Sequence, residues 1–312
     1  MNISLLEPIG ISEERINAFA DELRSGGHSF TFYPQKTSDV AELIARSKGQ
    51  EIILIANNPY PAAVIQSNPA LKMIAVAFTG VDHVDLAAAK EAGVIVTNCA
   101  GYSDQAVAEL VIGLTLAIMR KIPQGDRVTR SGGTSAGLIG EEIAAKRVGI
   151  IGLGRIGRKT AELFSAFGSE IVTYSRTTKA GYTNLELDEL LSTSDIITLH
   201  IPNTPETKGF LSKERLSHLK KDAILINCAR GPIIDTLALS ELLDSGKIRA
   251  GLDVFDMEPP LGRDYPLVTA DNTLLTPHVA FLTEEAMVRR SEILFENVRS
   301  YLEGTVINEV IL

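Results

Sequence analysis

The chain has 312 residues, 45% of them apolar and 22% charged, which is a globular composition with enough length for two domains. Its formal net charge of −9 argues against a nucleic-acid or acidic-membrane partner, although local basic groups and backbone N–H groups can still bind an anionic ligand. The longest apolar run, 110–119, is too short to cross a bilayer and predicts a buried helix instead.

The two cysteines, Cys99 and Cys228, are too few for a disulfide scaffold in a chain of this size. Met1 leads directly into apolar residues, without the basic segment and the small-residue cleavage site of a signal peptide. We therefore expect a cytoplasmic protein.

The first hundred residues alternate short apolar segments with segments of helical spacing. Buried strands are predicted at 3–6, 52–56, 73–78 and 94–97, and helices at 12–24, 40–46 and 86–92. Alternation of strands and helices is typical of a parallel sheet that is covered on both faces. We expect a doubly wound α/β domain of the flavodoxin-like kind.

A long helix is predicted from about Ser103 to about Lys121, and Pro123 and the Gly/Ser-rich segment 131–140 interrupt the pattern after it. A second alternation predicts six strands, at 148–151, 170–174, 196–199, 223–227, 250–253 and 273–275, with helices at 155–167, 186–191 and 237–245. This succession is the doubly wound pattern of a Rossmann domain.

The last predicted helix, 284–302, has no obvious place in the second sheet, which is complete by Thr276. We expect this helix to return to the first domain, which makes the second domain an insertion. The predicted domains are 1–98 plus 284–312, and 99–283.

The most specific local pattern is a G-x-G-x-x-G sequence that follows an apolar strand and opens a predicted helix, Gly152-Leu153-Gly154-Arg155-Ile156-Gly157. The first glycine allows a tight turn, the second lets a pyrophosphate approach the backbone, and the third lets helix and strand pack closely. Free N–H groups at the helix N-terminus bind phosphate. The pattern predicts a dinucleotide site.

The end of the next strand carries no Asp or Glu, the residue types that would bind the adenine ribose 2′-hydroxyl of NAD. It reads Ser175, Arg176 and Thr177, whose hydroxyl and guanidinium groups can hold a 2′-phosphate. The sequence therefore favours NADP(H) as the cofactor, with NAD(H) as the alternative.

Further blocks make the sequence resemble the D-isomer-specific 2-hydroxyacid dehydrogenase family over nearly its whole length. They are Thr79-Gly80-Val81-Asp82-His83-Val84-Asp85, Ala106-Val107-Ala108-Glu109, the glycine fingerprint, His200-Ile201-Pro202, Asn227-Cys228-Ala229-Arg230-Gly231, Leu252-Asp253-Val254-Phe255 with Glu258-Pro259, and Pro277-His278. The mid-chain fingerprint argues against the L-type lactate and malate dehydrogenases. Tyr102-Ser103 resembles the hydroxypyruvate/glyoxylate reductase branch.

Reduction of a 2-oxo acid needs a grip on the carboxylate, a group that polarises the ketone, and an acid that protonates the new alkoxide. Arg230 follows a strand, at the sheet edge where ligands bind, and its planar fork can bond two oxygens. His278 suits the proton donor because histidine changes charge near neutral pH. The resemblance makes Glu258 the partner of His278.

The resemblance also implies the remaining site residues. Backbone N–H groups around Thr79 and Gly80 would bind the substrate carboxylate, and Arg230 and His278 would also bind the substrate. The residues lining the cofactor cleft would be the fingerprint residues, including Arg155 and Ile156, then Ile201, Pro202, Thr207, Cys228 and Ala229, with Asp253 holding the nicotinamide carboxamide. Segment 99–283 would bind the dinucleotide, and 1–98 plus 284–312 would bind the substrate as a lid. A homodimer formed through about 103–130 is implied, and no metal site is expected.

The sequence departs from the family in three places: it has no Trp, its segment 131–142 is unusual, and Val279-Ala280-Phe281 stands where a Gly-rich turn is common. Two alternatives stay open beside a small 2-oxo acid reductase. One is a related dehydrogenase of another substrate class, such as formate or phosphite, although Glu258 speaks against formate. The other is a dinucleotide-sensing interaction protein of the corepressor kind.

Overall fold

The computed structural model describes residues 1–177, 180–270 and 272–311. The chain divides into two units, unit 1 (Met1–Ser103 with Leu282–Leu312) and unit 2 (Asp104–Phe281). The sequence places the boundaries at 98/99 and 283/284, and the role of each unit remains a prediction.

Unit 1 is built on a five-stranded parallel sheet. Its strands are β1 (Asn2–Leu5), β2 (Ser29–Phe32), β3 (Ile52–Ile55), β4 (Met73–Val76) and β5 (Ile95–Thr97), and its first helices are α1 (Glu13–Ser25), α2 (Val40–Ser47), α3 (Ala62–Gln66) and α4 (Leu86–Glu91). The strand order β2-β1-β3-β4-β5 is that of flavodoxin-like folds. β3 and β4 are buried along their whole length, as continuous apolar runs in a doubly covered sheet should be.

Unit 2 is built on a seven-stranded parallel sheet over the residues that the structure describes. Its elements are α5 (Asp104–Met119), α6 (Ile122–Arg130), β6 (Arg147–Ile151), α7 (Arg155–Ala166), β7 (Glu170–Tyr174), β8 (Thr183–Asn184), α8 (Leu187–Thr193), β9 (Ile196–Leu199), α9 (Lys213–Ser217), β10 (Ile224–Asn227), α10 (Thr236–Asp244), β11 (Arg249–Leu252), α11 (Pro266–Thr269) and β12 (Thr273–Leu275). The order β8-β7-β6-β9-β10-β11 is that of a Rossmann sheet, and β12 extends it. The predicted pair of doubly wound domains is confirmed.

The register of this second sheet aligns the carboxyl ends of its strands. Ile151 pairs with both Tyr174 and Leu199, and Leu199 pairs with Asn227. Leu252 continues the row between Asn227 and Leu275. The next residue of each strand therefore leaves the sheet at one edge: Gly152, Ser175, His200, Cys228, Asp253 and Thr276.

The predicted six-strand count for the second sheet is wrong because β8 contains only two exposed polar residues and has no apolar run. The sequence also gives no strong signal for β2, in which Phe30 is the buried residue among exposed or half-buried neighbours. Helix α6 differs from the prediction that Pro123 interrupts the helical pattern. Pro123 lies in the first turn, where a missing N–H costs nothing.

The apolar run 110–119 lies in α5, which packs against α7, β10 and β11 and buries residues around most of its surface. Helix α12 (Glu284–Leu302) precedes the C-terminal residues and belongs to unit 1. There the ring of Phe295 stacks on that of Phe19, with centroids 3.9 Å apart. Within the described ranges, no helix has the length and apolar content to cross a membrane.

Candidate active site

The three fingerprint glycines are each explained by a different spatial constraint. Gly152 has φ +95°, and a Cβ there would lie 2.6 Å from the carbonyl oxygen of His200. A Cβ on Gly157 would lie 2.1 Å from the carbonyl oxygen of Gly152, so helix α7 could not approach the strand so closely. Gly154 caps α7, and a Cβ on it would meet nothing within 4 Å. The space beside Gly154 is open, as the approach of a pyrophosphate requires.

The first turn of α7 carries Arg155 and Ile156. The Arg155 guanidinium is exposed, and its Nε lies 2.7 Å from Oδ2 of Asp104, the first residue of α5. Ile156 packs against the apolar core. Gly154 makes no side-chain cap, which leaves backbone N–H groups at this helix end for an anion.

The end of β7 presents the three residues predicted to contact the adenine ribose. The Ser175 hydroxyl donates to the carbonyl of Thr177 (2.7 Å), and the Ser175 backbone N–H donates to Oδ1 of Asn184 (3.0 Å). The side chains of Arg176 and Thr177 are exposed. Asn184, from β8, was not predicted because β8 itself was missed.

An acidic residue that the sequence did not single out, Glu206, lies in the electrostatic reach of Arg176. The Thr204 hydroxyl, which donates to the carboxylate over 2.7 Å, and the charge of Arg176 both hold the pKa of Glu206 below its usual value. The position of Glu206 in the loop after β9 does not indicate from sequence that it lies near Arg176.

The loop after β9 is a tight turn. The Thr207 hydroxyl donates to the carbonyl of Pro202 (2.6 Å) and accepts from the N–H of Thr204 (2.7 Å). Ile201 packs against the core of unit 2, and its Cγ2 methyl group lies 2.7 Å from the position that a Cβ on Gly152 would take. Burial lowers the pKa of His200 to about 3, so this imidazole is neutral near pH 7 and lies close to Thr198 Oγ1.

Arg230 is presented by a shaped turn at the end of β10. The Asn227 amide donates to the carbonyl of Arg230 and accepts from the N–H of Ala229, both over 3.0 Å. A Cβ on Gly231 would lie 1.8 Å from the backbone of Phe255, so only glycine fits after Arg230. Asn227 is a positioning residue that the sequence analysis did not assign.

Cys228 lies inside this turn and is buried. Burial, reinforced by the nearby carboxylate of Asp253, raises the pKa of its thiol. The thiol is protonated and is not a nucleophile.

His278 and Glu258 are brought together as the resemblance implies. Nδ1 of His278 lies 2.9 Å and 3.1 Å from the two carboxylate oxygens of Glu258. This contact uses Nδ1 and leaves Nε2 on the opposite side of the ring. Phe281 lies edge-on to the imidazole, with ring centroids 5.5 Å apart at 89°.

Asp253 is fully buried after β11 and accepts hydrogen bonds from the segment that carries His278. Its donors are the Thr276 hydroxyl (2.6 Å), the Val279 N–H (2.9 Å) and the Ala280 N–H (2.8 Å). The predicted role of Asp253 as a carboxamide ligand stays a prediction. Thr276 had no sequence signal, because its role depends on this distant contact.

The remaining predicted residues lie in unit 1. Thr79 and Gly80 follow the end of β4, and the carbonyl of Thr79 accepts a hydrogen bond from the Asn98 amide (2.9 Å). The Thr79 side chain is exposed. All other predicted site residues lie in unit 2, most of them within a few residues of the aligned strand ends.

Residues 112–280 match the family model of the D-isomer specific 2-hydroxyacid dehydrogenase, NAD binding domain. The chain belongs to this family. The resemblance found in the sequence is thereby confirmed, and the cofactor class is a nicotinamide dinucleotide. The open space at Gly154 and the uncapped N-terminus of α7 fit such a cofactor.

Curated relatives align with most of this 2-hydroxyacid dehydrogenase chain. A D-3-phosphoglycerate dehydrogenase of Methanocaldococcus jannaschii is 39% identical over 86% of this chain and 53% of its own length. A glyoxylate reductase of Thermofilum pendens is 38% identical over 84% of this chain and 81% of its own. The chain spans about half the length of the phosphoglycerate dehydrogenases that it matches.

Among solved structures, an acyclic imino acid reductase in complex with NADPH and D-Arg superposes with a TM-score of 0.91. It is 32% identical, and the alignment covers 100% of both chains.

The glycine geometry predicts that folding and dinucleotide binding can be separated. Gly154→Ala should leave the melting temperature nearly unchanged, because its Cβ meets no atom, yet weaken NADPH binding at least about 10-fold by occupying the space beside the helix end. Gly157→Ala should damage both, because its Cβ collides with backbone. Calorimetry measures the melting temperature of both variants, and fluorescence titration measures their affinity for NADPH. Undiminished binding by Gly154→Ala would contradict the assignment.

Proposed function

We propose that the protein is an NAD(P)-dependent oxidoreductase that transfers a hydride between the nicotinamide and a small 2-oxo/D-2-hydroxy acid. The observation that carries the proposal is the Glu258–His278 pair, 2.9 Å apart, on the sheet edge that also presents Arg230. Unit 2 is the dinucleotide-binding domain, and unit 1 is the substrate (lid) domain.

The bound dinucleotide supplies or accepts the hydride at the carbon that bears the oxygen. In the reducing direction, the guanidinium of Arg230 polarises the ketone and grips the carboxylate. Nε2 of His278 gives its proton to the developing alkoxide, so that hydride and proton together convert the ketone to the alcohol. Glu258, whose carboxylate lies 2.9 Å from Nδ1, orients the imidazole for this transfer. Oxidation of the hydroxy acid reverses these steps.

Glyoxylate and hydroxypyruvate are the proposed first substrates. The Tyr102-Ser103 pair resembles the hydroxypyruvate/glyoxylate branch, and the relative of 38% identity from Thermofilum pendens is a glyoxylate reductase. Thr79 and Gly80 are retained as binding residues for the substrate carboxylate. The relatives named above are reductases or dehydrogenases, which favours catalysis over a dinucleotide-sensing role.

Mixing the protein with NADPH and glyoxylate should lower the absorbance at 340 nm. His278→Ala should reduce kcat at least about 10²-fold, because the general acid is lost. Arg230→Ala should damage both kcat and KM, because the guanidinium serves the ground state and the transition state. Steady-state kinetics on folded variants test this. Near-normal turnover by either variant would overturn its role, and a wild-type protein inert toward 2-oxo acids would overturn the proposal.

The proposed cofactor is NADP(H), because the residues that follow β7 are Ser175 and the exposed Arg176, with no Asp or Glu among them. The imino acid reductase at 32% identity was solved with NADPH, which supports this preference. Glu206, near Arg176, opposes this preference, since a carboxylate there repels a 2′-phosphate.

Wild-type kcat/KM should be about 10–100-fold higher with NADPH than with NADH, which is the range expected for a bond between a guanidinium and a phosphate. Replacing Ser175→Asp and Arg176→Ala together should move the preference toward NADH, because the new carboxylate suits a ribose hydroxyl. Kinetics with both cofactors measure the ratio. A wild-type ratio of one, or one that favours NADH, would contradict NADP(H) preference and leave the reaction class untouched.

A homodimer is proposed through the region around α5 and α6. No residue of α6 is buried within the chain, Ile122 is 55% exposed, and Ile139 in the segment after α6 is 88% exposed. The two residues lie in segments that are in contact, since Lys121 Nζ donates to the carbonyl of Gly137 (3.0 Å), and exposed apolar side chains grouped in this way are typical of a contact surface.

Sedimentation should give twice the chain mass of 33.6 kDa. Combining Ile122→Asp with Ile139→Asp should shift the protein to the monomer, because charges replace the apolar contact. Leu237→Asp, at an apolar side chain of α10 that is 64% exposed, is the matched control and should remain dimeric. A wild-type monomer at micromolar concentration would rule out the dimer.

A further inference from the structure

The loop that carries His278 is bound to a buried carboxylate on both sides of the histidine. Asp253 is 0% exposed. Its Oδ1 accepts from Thr276 Oγ1 (2.6 Å), two residues before His278, and from the N–H of Val279 (2.9 Å). Its Oδ2 accepts from the N–H of Ala280 (2.8 Å). Thr276, Val279 and Ala280 thus form, with Asp253, what we call the carboxylate clamp.

His278 itself needs support from its surroundings. It has φ +57°, in the left-handed region that residues other than glycine rarely occupy. Such a conformation persists only where neighbouring contacts determine it. Its own N–H bonds to the Thr276 carbonyl (3.1 Å), and the clamp fixes the backbone before and after it.

A buried carboxylate is costly unless donors surround it. Three donors around Asp253 all come from the segment 276–280, so the charge and the loop conformation stabilise each other. Loss of one donor leaves part of a buried charge unsatisfied, and the loop should then sample other conformations.

We propose that Asp253 is a positioning residue for the reaction, which acts through the clamp to hold His278 with Nδ1 against Glu258 and Nε2 toward the reacting oxygen. This function differs from holding the nicotinamide carboxamide, the role that the family resemblance implies. The effect of the clamp on catalysis rests on the proposed function, whereas the clamp itself rests on the hydrogen-bond geometry alone.

Thr276 offers the sharpest test, because Asp253→Asn would place amide hydrogens against backbone donors and risks misfolding. Thr276→Val removes only the hydroxyl donor, and Thr276→Ser restores it. Thr115→Val is the matched control, since the buried Thr115 hydroxyl bonds within α5 to the carbonyl of Val111 (2.7 Å).

Three quantities are measured on each variant: kcat and KM with glyoxylate, the Kd for NADPH by fluorescence titration, and the amide hydrogen exchange of Val279 and Ala280. In Thr276→Val, kcat should fall at least about 10-fold and amide exchange should accelerate by a similar factor, which is the loss expected for one bond to a charged group. The Kd for NADPH should stay within about twofold. Thr276→Ser and Thr115→Val should behave as wild type.

Unchanged kcat and exchange in Thr276→Val would overturn the proposal. A weakened NADPH affinity with unchanged exchange would also overturn it and assign Asp253 to the cofactor. If the wild type does not reduce 2-oxo acids, the proposed function fails, while the exchange measurement still decides whether the clamp orders the His278 loop.

Discussion

The aligned carboxyl ends of the parallel strands in unit 2 are the constraint on which the site depends. Because Ile151, Leu199, Asn227 and Leu252 lie in one register row, the loops that follow them emerge at one edge. Residues separated by more than a hundred positions in the chain are thus presented together. Parallel pairing needs a long crossover for each strand, and the helices α7, α8 and α10 lie in these crossovers and cover the sheet.

The loops at this edge are held in their conformations by two kinds of interaction, close backbone contacts at glycines and hydrogen bonds from buried side chains. At Gly152 and Gly231, where two backbone segments approach closely, the absence of a Cβ makes the contact possible. Side-chain hydrogen bonds fix two other loops. The Asn227 amide closes the turn that carries Arg230, and the Asp253 carboxylate holds the His278 loop. Arg230 and His278, which are proposed to contact the substrate, are thus held in place by Asn227 and Asp253.

The sequence predicts the fold well wherever burial dictates a pattern. Continuous apolar strands and the glycine fingerprint locate both sheets, and the order of the blocks that resemble the family indicates the family. Elements without a burial signal were missed, such as the two-residue edge strand β8 and helix α6. The Asp253 contacts were missed for another reason: two of their three donors are backbone N–H groups, which are present in every residue and carry no sequence information.

Hydride transfer to the carbon next to the carboxylate can be followed with NADPH that carries deuterium at C4 of the nicotinamide. The protein is incubated with hydroxypyruvate and with each of the two C4 diastereomers in turn, and the product is analysed by mass spectrometry and chiral chromatography. We expect D-glycerate with one deuterium at C2 from one diastereomer and none from the other. Glycerate without deuterium from both diastereomers, or no glycerate at all, would contradict this expectation.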